Sequence, residues 1–230
     1  MHPTIRIIRD EHSTLSAVLR SIGLLLSESR RHGLAPDFQV LRAMLFYIDE
    51  FPEQVHHTKE SALLFPALRS RSDELAAVIE RLDLEHARSH AAVRTLEHDL
   101  LALEMMGEAA DSQARRLRFE TDMQAYIAGY LDHMRAEELE VLPLAEQVLT
   151  AADWAALDGA FMKNRDPLTC READDAFRPL FKRILLSLPA PLGLGPALEA
   201  LRGAHLGARA MPPRRLGAVD AAGRGAPSGS

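Results

Sequence analysis

The sequence predicts an all-α protein: an up-down-up-down four-helix bundle with a short C-terminal helical extension. Four long stretches repeat apolar residues at the three- and four-residue steps of a helix face. The connections between them are short and carry Gly, Pro or Asp, and no segment alternates convincingly with the two-residue period of a strand. Long helices joined by short turns run antiparallel to their neighbours, which is the bundle arrangement.

The first helix is expected over residues 4–31, with Ile8, Leu15, Val18, Leu19, Ile22 and Leu25 on one stripe. "RHGLAPD" then stops it, with Gly33 just past the end and Pro36-Asp37 opening the next. The second helix spans residues 37–68 and turns Leu41, Leu45, Ile48, Val55, Leu63 and Leu64 inward. Pro52 and Pro66 lie inside it, and each removes a ladder hydrogen bond, which predicts an interruption near Phe51. The third spans residues 72–106, with Ser72 as N-cap, Asp73 and Glu74 in its first turn, and Ile79, Leu82, Val93, Leu96 and Leu100 along the core face. "GEAADS" supplies the turn to a fourth helix over residues 113–149, where Leu117, Ile127, Tyr130, Leu131 and Leu142 recur. A fifth, shorter helix begins at Thr150, with Asp153 placed for a capping box.

These boundaries divide the chain into a bundle over residues 1–165, a helical extension over 166–190 ending in "FRPLFKRILLSL", and a Gly/Ala/Pro/Arg-rich tail over 191–230 read as mostly disordered. The 230 residues are 47% hydrophobic and 26% charged, an ordinary globular balance. A formal charge of -6 gives no basic footprint for nucleic acid or an anionic membrane. No apolar run approaches bilayer length, and the start carries no secretory-signal pattern. The single Cys170 forms no intrachain disulfide, so a reducing cytoplasm is the expected setting.

Histidine is the unusual count, at ten. Residues four apart share a helix face, and three of the long helices pair a histidine this way with another ligand type: His56 with Glu60, His86 with His90, and His133 with Glu137. The first helix offers His12. Measured from the shared end of an up-down bundle, these positions lie roughly 12–22 Å deep at about 1.5 Å per residue, within one layer. One such pair alone is a common exposed contact, but a matched layer across four helices flanked by apolar stripes is not. Burying five imidazoles and two carboxylates without a partner costs several kcal/mol each, which a shared metal removes. The set exceeds one tetrahedral zinc site and suits two octahedral iron ions bridged by the carboxylates. The alternative bundle di-metal pattern needs two Glu-x-x-His motifs, and "EQVH" (Glu53 to His56) is the only match.

"RDEHSTL", "HHTKESALLFP", "LEHARSH" and "HMRAEELEVLPLAEQVL" together resemble the haemerythrin-like (HHE cation-binding) family over residues 4–165. The resemblance implies two non-haem iron ions, oxo- or hydroxo-bridged, one held by His86, His90 and His133 and the other by His12 and His56. Glu60 and Glu137 would bridge them. It also implies that O2 or NO binds on the His12/His56 side. Glu137 is preferred to Glu138 because four residues turn a helix only about 40° from His133, against about 140° for five. His57 is expected behind His56 or on the surface. The expected function is binding of a small diatomic ligand, O2 or NO, or of iron, in sensing, carriage or detoxification. The alternative is a di-iron enzyme for NO reduction or iron–sulfur cluster repair; relatives of that kind resemble longer chains with a cysteine-bearing N-terminal domain.

Overall fold

A computed structural model describes residues 2–107 and 111–163, together with Asp166, Leu168, Lys182, Ile184 and Leu186. The described residues are helical, with no strand among them. Helix α1 (Pro3–Arg31) ends as expected: Gly33 takes φ +63°, its N–H bonds Arg30 O, and the Leu34 N–H reaches Ser29 O. That pair of bonds satisfies the last carbonyls, and only a residue without a Cβ adopts the left-handed turn freely. Asp37 then caps α2 (Phe38–Ile48) by accepting the Val40 N–H at 3.1 Å.

The second rod of the bundle is not a plain α-helix. After α2 it widens into a π-helical segment (Asp49–His56), returns to α for α3 (His57–Lys59), widens again (Glu60–Leu64) and closes with α4 (Phe65–Arg69). The fourth rod repeats the device: α6 (Ser112–Ala136) passes through a π turn (Glu137–Val141) into α7 (Leu142–Val148). A proline lies inside the first π segment and two residues beyond the end of each of the others, as Pro52, Pro66 and Pro143. Proline brings no N–H and crowds the carbonyl four residues back, and an i→i+5 turn gives that carbonyl room. The interruption expected near Phe51 is therefore a widening that begins at Asp49.

Helix α5 (Ala76–Met106) starts four residues later than the sequence suggested. Ser72 Oγ accepts the Glu74 N–H at 3.1 Å, and the Ala76 N–H bonds Asp73 O, so Ser72 and Asp73 form a separate turn rather than the helix cap. Helix α8 (Ala151–Phe161) opens with the predicted capping box between Thr150 and Asp153. It packs on α1, where Asp158 accepts bonds from the Thr4 N–H and hydroxyl at 2.9 and 2.6 Å. Thr150→Ala removes the cap and is expected to cost about 1 kcal/mol, a fall of roughly 2–4 °C in melting temperature by calorimetry. The C-terminal extension and tail, including Cys170 and His205, fall almost entirely outside the described residues.

α1 contacts α2 and α6, and α5 contacts α2 and α6, which closes the four-rod ring. The interior divides into two apolar clusters. One holds Leu15, Val18, Leu19, Leu41, Leu45, Val93, Leu96 and Met123; the other holds Ile5, Ile8, Leu64, Phe65, Leu82, Leu142, Trp154 and Phe161. Between them lies a buried polar layer that contains His12, His56, His57, Glu60, His86, His133 and Glu137. Two predicted core residues face out instead: Leu117 is 58% exposed and Leu63 is 40% exposed. Leu63 sits inside a π turn, whose extra residue rotates the face presented to the core.

Candidate metal centre

Each ring of the layer is held by its Nδ1. His56 Nδ1 meets Glu11 Oε2 at 2.7 Å, His133 Nδ1 meets Glu85 Oε2 at 2.9 Å, His12 Nδ1 meets Glu138 Oε1 at 3.0 Å, and His86 Nδ1 meets Ser61 Oγ at 2.8 Å. Such partners fix the tautomer and leave Nε2 as the lone pair that points inward. The inward nitrogens meet in pairs: His12 Nε2 lies 3.2 Å from His56 Nε2, and His86 Nε2 lies 3.0 Å from His133 Nε2. Two facing lone pairs repel unless a proton or a cation lies between them.

The two carboxylates divide their oxygens between those pairs. Glu60 puts Oε1 3.3 Å from His56 Nε2 and Oε2 3.6 Å from His86 Nε2. Glu137 puts Oε2 3.2 Å from His12 Nε2 and Oε1 3.2 Å from His133 Nε2. All four oxygens are buried and none receives a hydrogen bond of good geometry. Buried carboxylate oxygens are normally well bonded, so four orphans in one spot call for a cation. The spacing fits one as well: donors at right angles, about 2.1 Å from a common ion, are about 3.0 Å apart. The described side chains form two groups able to hold a metal, His12/His56/Glu60/Glu137 and His57/Glu60/His86/His133.

Of the seven residues singled out from sequence, His12, His56, Glu60, His86, His133 and Glu137 come together in this layer. His90 does not. Its side chain is 44% exposed and its Nε2 stands 3.4 Å from Asp49 Oδ1, one turn from the layer on α5. Glu137 rather than Glu138 faces both histidine pairs; Glu138 reaches only His12 Nδ1.

His57 is the correction in the other direction. It is buried, its ring stacks on His86 at 3.9 Å, and it belongs to the second donor group. Adjacent residues of an α-helix differ by about 100°, which would turn His57 away from the face of His56. The boundary between the π segment and α3 falls between them, and the wider turn lets both face inward. The other four rings turn Nε2 toward one another and the two carboxylates, whereas His57 Nδ1 meets Glu53 Oε2 at 3.0 Å and the Tyr130 hydroxyl donates to its Nε2 at 2.8 Å. Glu53 in turn accepts from Tyr126 Oη at 2.9 Å and from Ser89 Oγ.

The sequence pattern did not mark Glu11 and Glu85, although each directly precedes a candidate histidine, in "DEH" and "LEH"; Glu53 stood out only as the first residue of "EQVH", and Tyr130 only as a core residue.

Electrostatics follow the geometry. Burial by itself lowers the His56 and His12 pKa, but the facing Glu60, Glu11, Glu137 and Glu138 carboxylates overcome it and raise both. His133 behaves alike and is raised to about 9, burial being outweighed by Glu137, Glu85 and Glu60. His57 goes the other way: burial and the neighbouring imidazoles of His86, His56 and His133 hold it well below its ordinary value. It is a neutral ring beside rings that attract positive charge.

A folded pKa above the unfolded value of about 6.5 gives stability that is complete below pH 6.5 and lost as pH rises through the folded value. The metal-stripped protein is therefore expected to lose stability, on the order of 3 kcal/mol from His133, between pH 6.5 and about 9. Melting curves across that range check it.

Among the described residues no helix is long and apolar enough to cross a membrane. Comparison with curated proteins finds no match. A family model described as the hemerythrin HHE cation binding domain matches residues 4–145. The whole donor layer, from His12 to Glu137, lies inside that span. A helical bundle with a buried His/Glu layer is what a cation-binding domain of this kind requires, and the match covers more than half of the chain, which therefore belongs to the hemerythrin HHE cation-binding family.

Proposed function

We propose that the chain is a non-haem di-iron protein that binds a small diatomic ligand, O2 or NO, in sensing, carriage or detoxification. The observation that carries this reading is the division of the Glu60 and Glu137 oxygens between two histidine pairs. A carboxylate that offers one oxygen to each of two donor groups is built to bridge two ions. In this reading His12 and His56 hold one iron, His86 and His133 hold the other, and both carboxylates span them. His57 stands where the sequence had suggested His90.

Imidazole and carboxylate donors suit iron, and with no second thiol nearby in sequence to draw a softer metal, iron is the favoured occupant. An iron pair so held supplies electrons and open coordination positions. The chain's own part is to fix each Nε2 through its Nδ1 partner, to place charge of opposite sign opposite the ions, and to keep bulk water out with two apolar clusters. A reducing cytoplasm is the setting in which the ferrous form would be maintained.

The test is anaerobic reconstitution with ferrous iron, followed by O2 or NO. The expected result is a visible ligand-to-metal charge-transfer absorption that reverses when the gas is removed. A fully iron-loaded protein whose spectrum never responds to either gas would refute the proposal.

A further inference from the structure

The carboxylates that hold the rings of the layer by Nδ1 are not built alike. Glu138 behind His12 and Glu85 behind His133 reach toward solvent, with side chains 40% and 33% exposed. Glu11 behind His56 is buried, its side chain 6% exposed, and both of its oxygens are used. Oε2 meets His56 Nδ1 at 2.7 Å, and Oε1 accepts the Asp166 N–H at 3.1 Å. A buried carboxylate oxygen needs a donor, and the donor it has here also fixes how the carboxylate is turned toward His56.

Asp166 is in turn pinned by its own side chain. Oδ1 accepts the Leu168 N–H at 2.7 Å, and Oδ2 accepts the hydroxyl of Tyr47, a fully buried residue of α2. Pro167 follows it in sequence, and a residue before proline is disfavoured in the helical conformation, so no helix runs through this point. Leu168 packs against the apolar cluster that holds Leu15 and Val18. A second tie lies close by: Lys59, one residue before Glu60, donates from Nζ to Lys163 O at 2.8 Å. Glu11, His12, His56 and Asp166 line a common cavity of about 10 Å³, the lower limit for one water. The chain after α8 is thus fastened beside the layer at two places. Asp166 stands beyond residues 4–145, the part of the chain that the family model matches.

We propose that Tyr47 and Asp166 are positioning residues of the metal centre. Acting through Glu11 they set the His56 ring, so the His12/His56 position is completed by a residue outside the family domain. This rests on the metal-binding reading above. The His86/His133 position, whose rings are set by Ser61 and Glu85, does not depend on them.

One test needs no metal. In the stripped full-length chain carrying isotope-labelled histidine, the Nδ1 proton that His56 shares with Glu11 should exchange slowly with solvent. Asp166→Ala should speed that exchange at least tenfold and leave the Nδ1 proton of His133 within twofold. Tyr47→Phe removes one hydroxyl, should act in the same direction, and serves if Asp166→Ala folds poorly. His56 exchange unchanged in both variants, or His133 accelerated as much as His56, would overturn the proposal.

The second test is titration with ferrous iron. Asp166→Ala should weaken one of the two positions about tenfold, the size expected when a group that orients a metal ligand is lost, and leave the other within twofold. Both positions weakened alike, or neither, would overturn the proposal. A wild-type chain that takes up no iron but shows the His56-selective exchange would count against the metal-binding reading and leave the positioning of His56 supported.

Discussion

Glu137→Ala is expected to abolish metal uptake at both positions, although it removes a single side chain. Each Glu137 oxygen faces a different histidine pair, so its loss takes a carboxylate oxygen from beside both pairs at once. Glu60→Ala should do the same for the same reason. Single imidazole losses are expected to be asymmetric. His86→Ala or His133→Ala should weaken one position far more than the other, and His12→Ala or His56→Ala should do the reverse. His90→Ala should leave metal content unchanged, because that ring is half-exposed and lies beside Asp49, away from both groups. Metal per chain, measured by elemental analysis after gel filtration, checks the whole series. Breaking a buried charge constellation by one member typically costs 3–5 kcal/mol, so melting curves of the stripped variants are needed alongside to separate lost ligation from lost folding.

The second large effect is on stability. Metal bound only by the folded chain stabilises it by about 4.1 kcal/mol per site at a thousand times its dissociation constant. Two ions give about 8 kcal/mol, and for a chain of this length each kcal/mol moves the midpoint by roughly 2–4 °C. Loading is therefore expected to raise the melting temperature on the order of 20 °C, and a chelator to reverse it. The stripped protein should remain folded, because the apolar clusters above and below the layer do not depend on the ion. Protons on His12, His56 and His133 can take the place of positive charge opposite Glu60 and Glu137. Metal uptake is accordingly expected to release protons near neutral pH, a signal that calorimetry in buffers of different ionisation enthalpy detects.

Much of this was legible in the sequence because helices and their ends obey local rules. The stripe from Ile8 to Ile22, the Gly33 stop, the Asp37 cap and the Thr150 capping box depend on residues within a turn or two of one another, and the structure shows each as expected. The co-location of His12, His56, Glu60, His86, His133 and Glu137 followed from helix spacing combined with bundle topology. Two of the errors lie where the helix departs from 3.6 residues per turn. His57 and Leu63 exchanged faces with respect to expectation, and both sit at or inside π segments. The signal was present as Pro52, Pro66 and Pro143, each inside an otherwise helical pattern. A proline marks that the backbone must change there, and it does not say by how many degrees the following side chains rotate. His90 misled for the complementary reason: α5 is regular, so an i+4 neighbour does share the face of His86, yet one turn of about 5.4 Å carries it past the layer.

The central claim is that this layer holds two ions bridged by two carboxylates, and an anaerobic titration with ferrous iron tests it most directly. Calorimetry or absorbance should show uptake that ends at two irons per chain and that disappears in both Glu60→Ala and Glu137→Ala. An endpoint at one iron per chain, or an endpoint at two that survives either substitution, would contradict it.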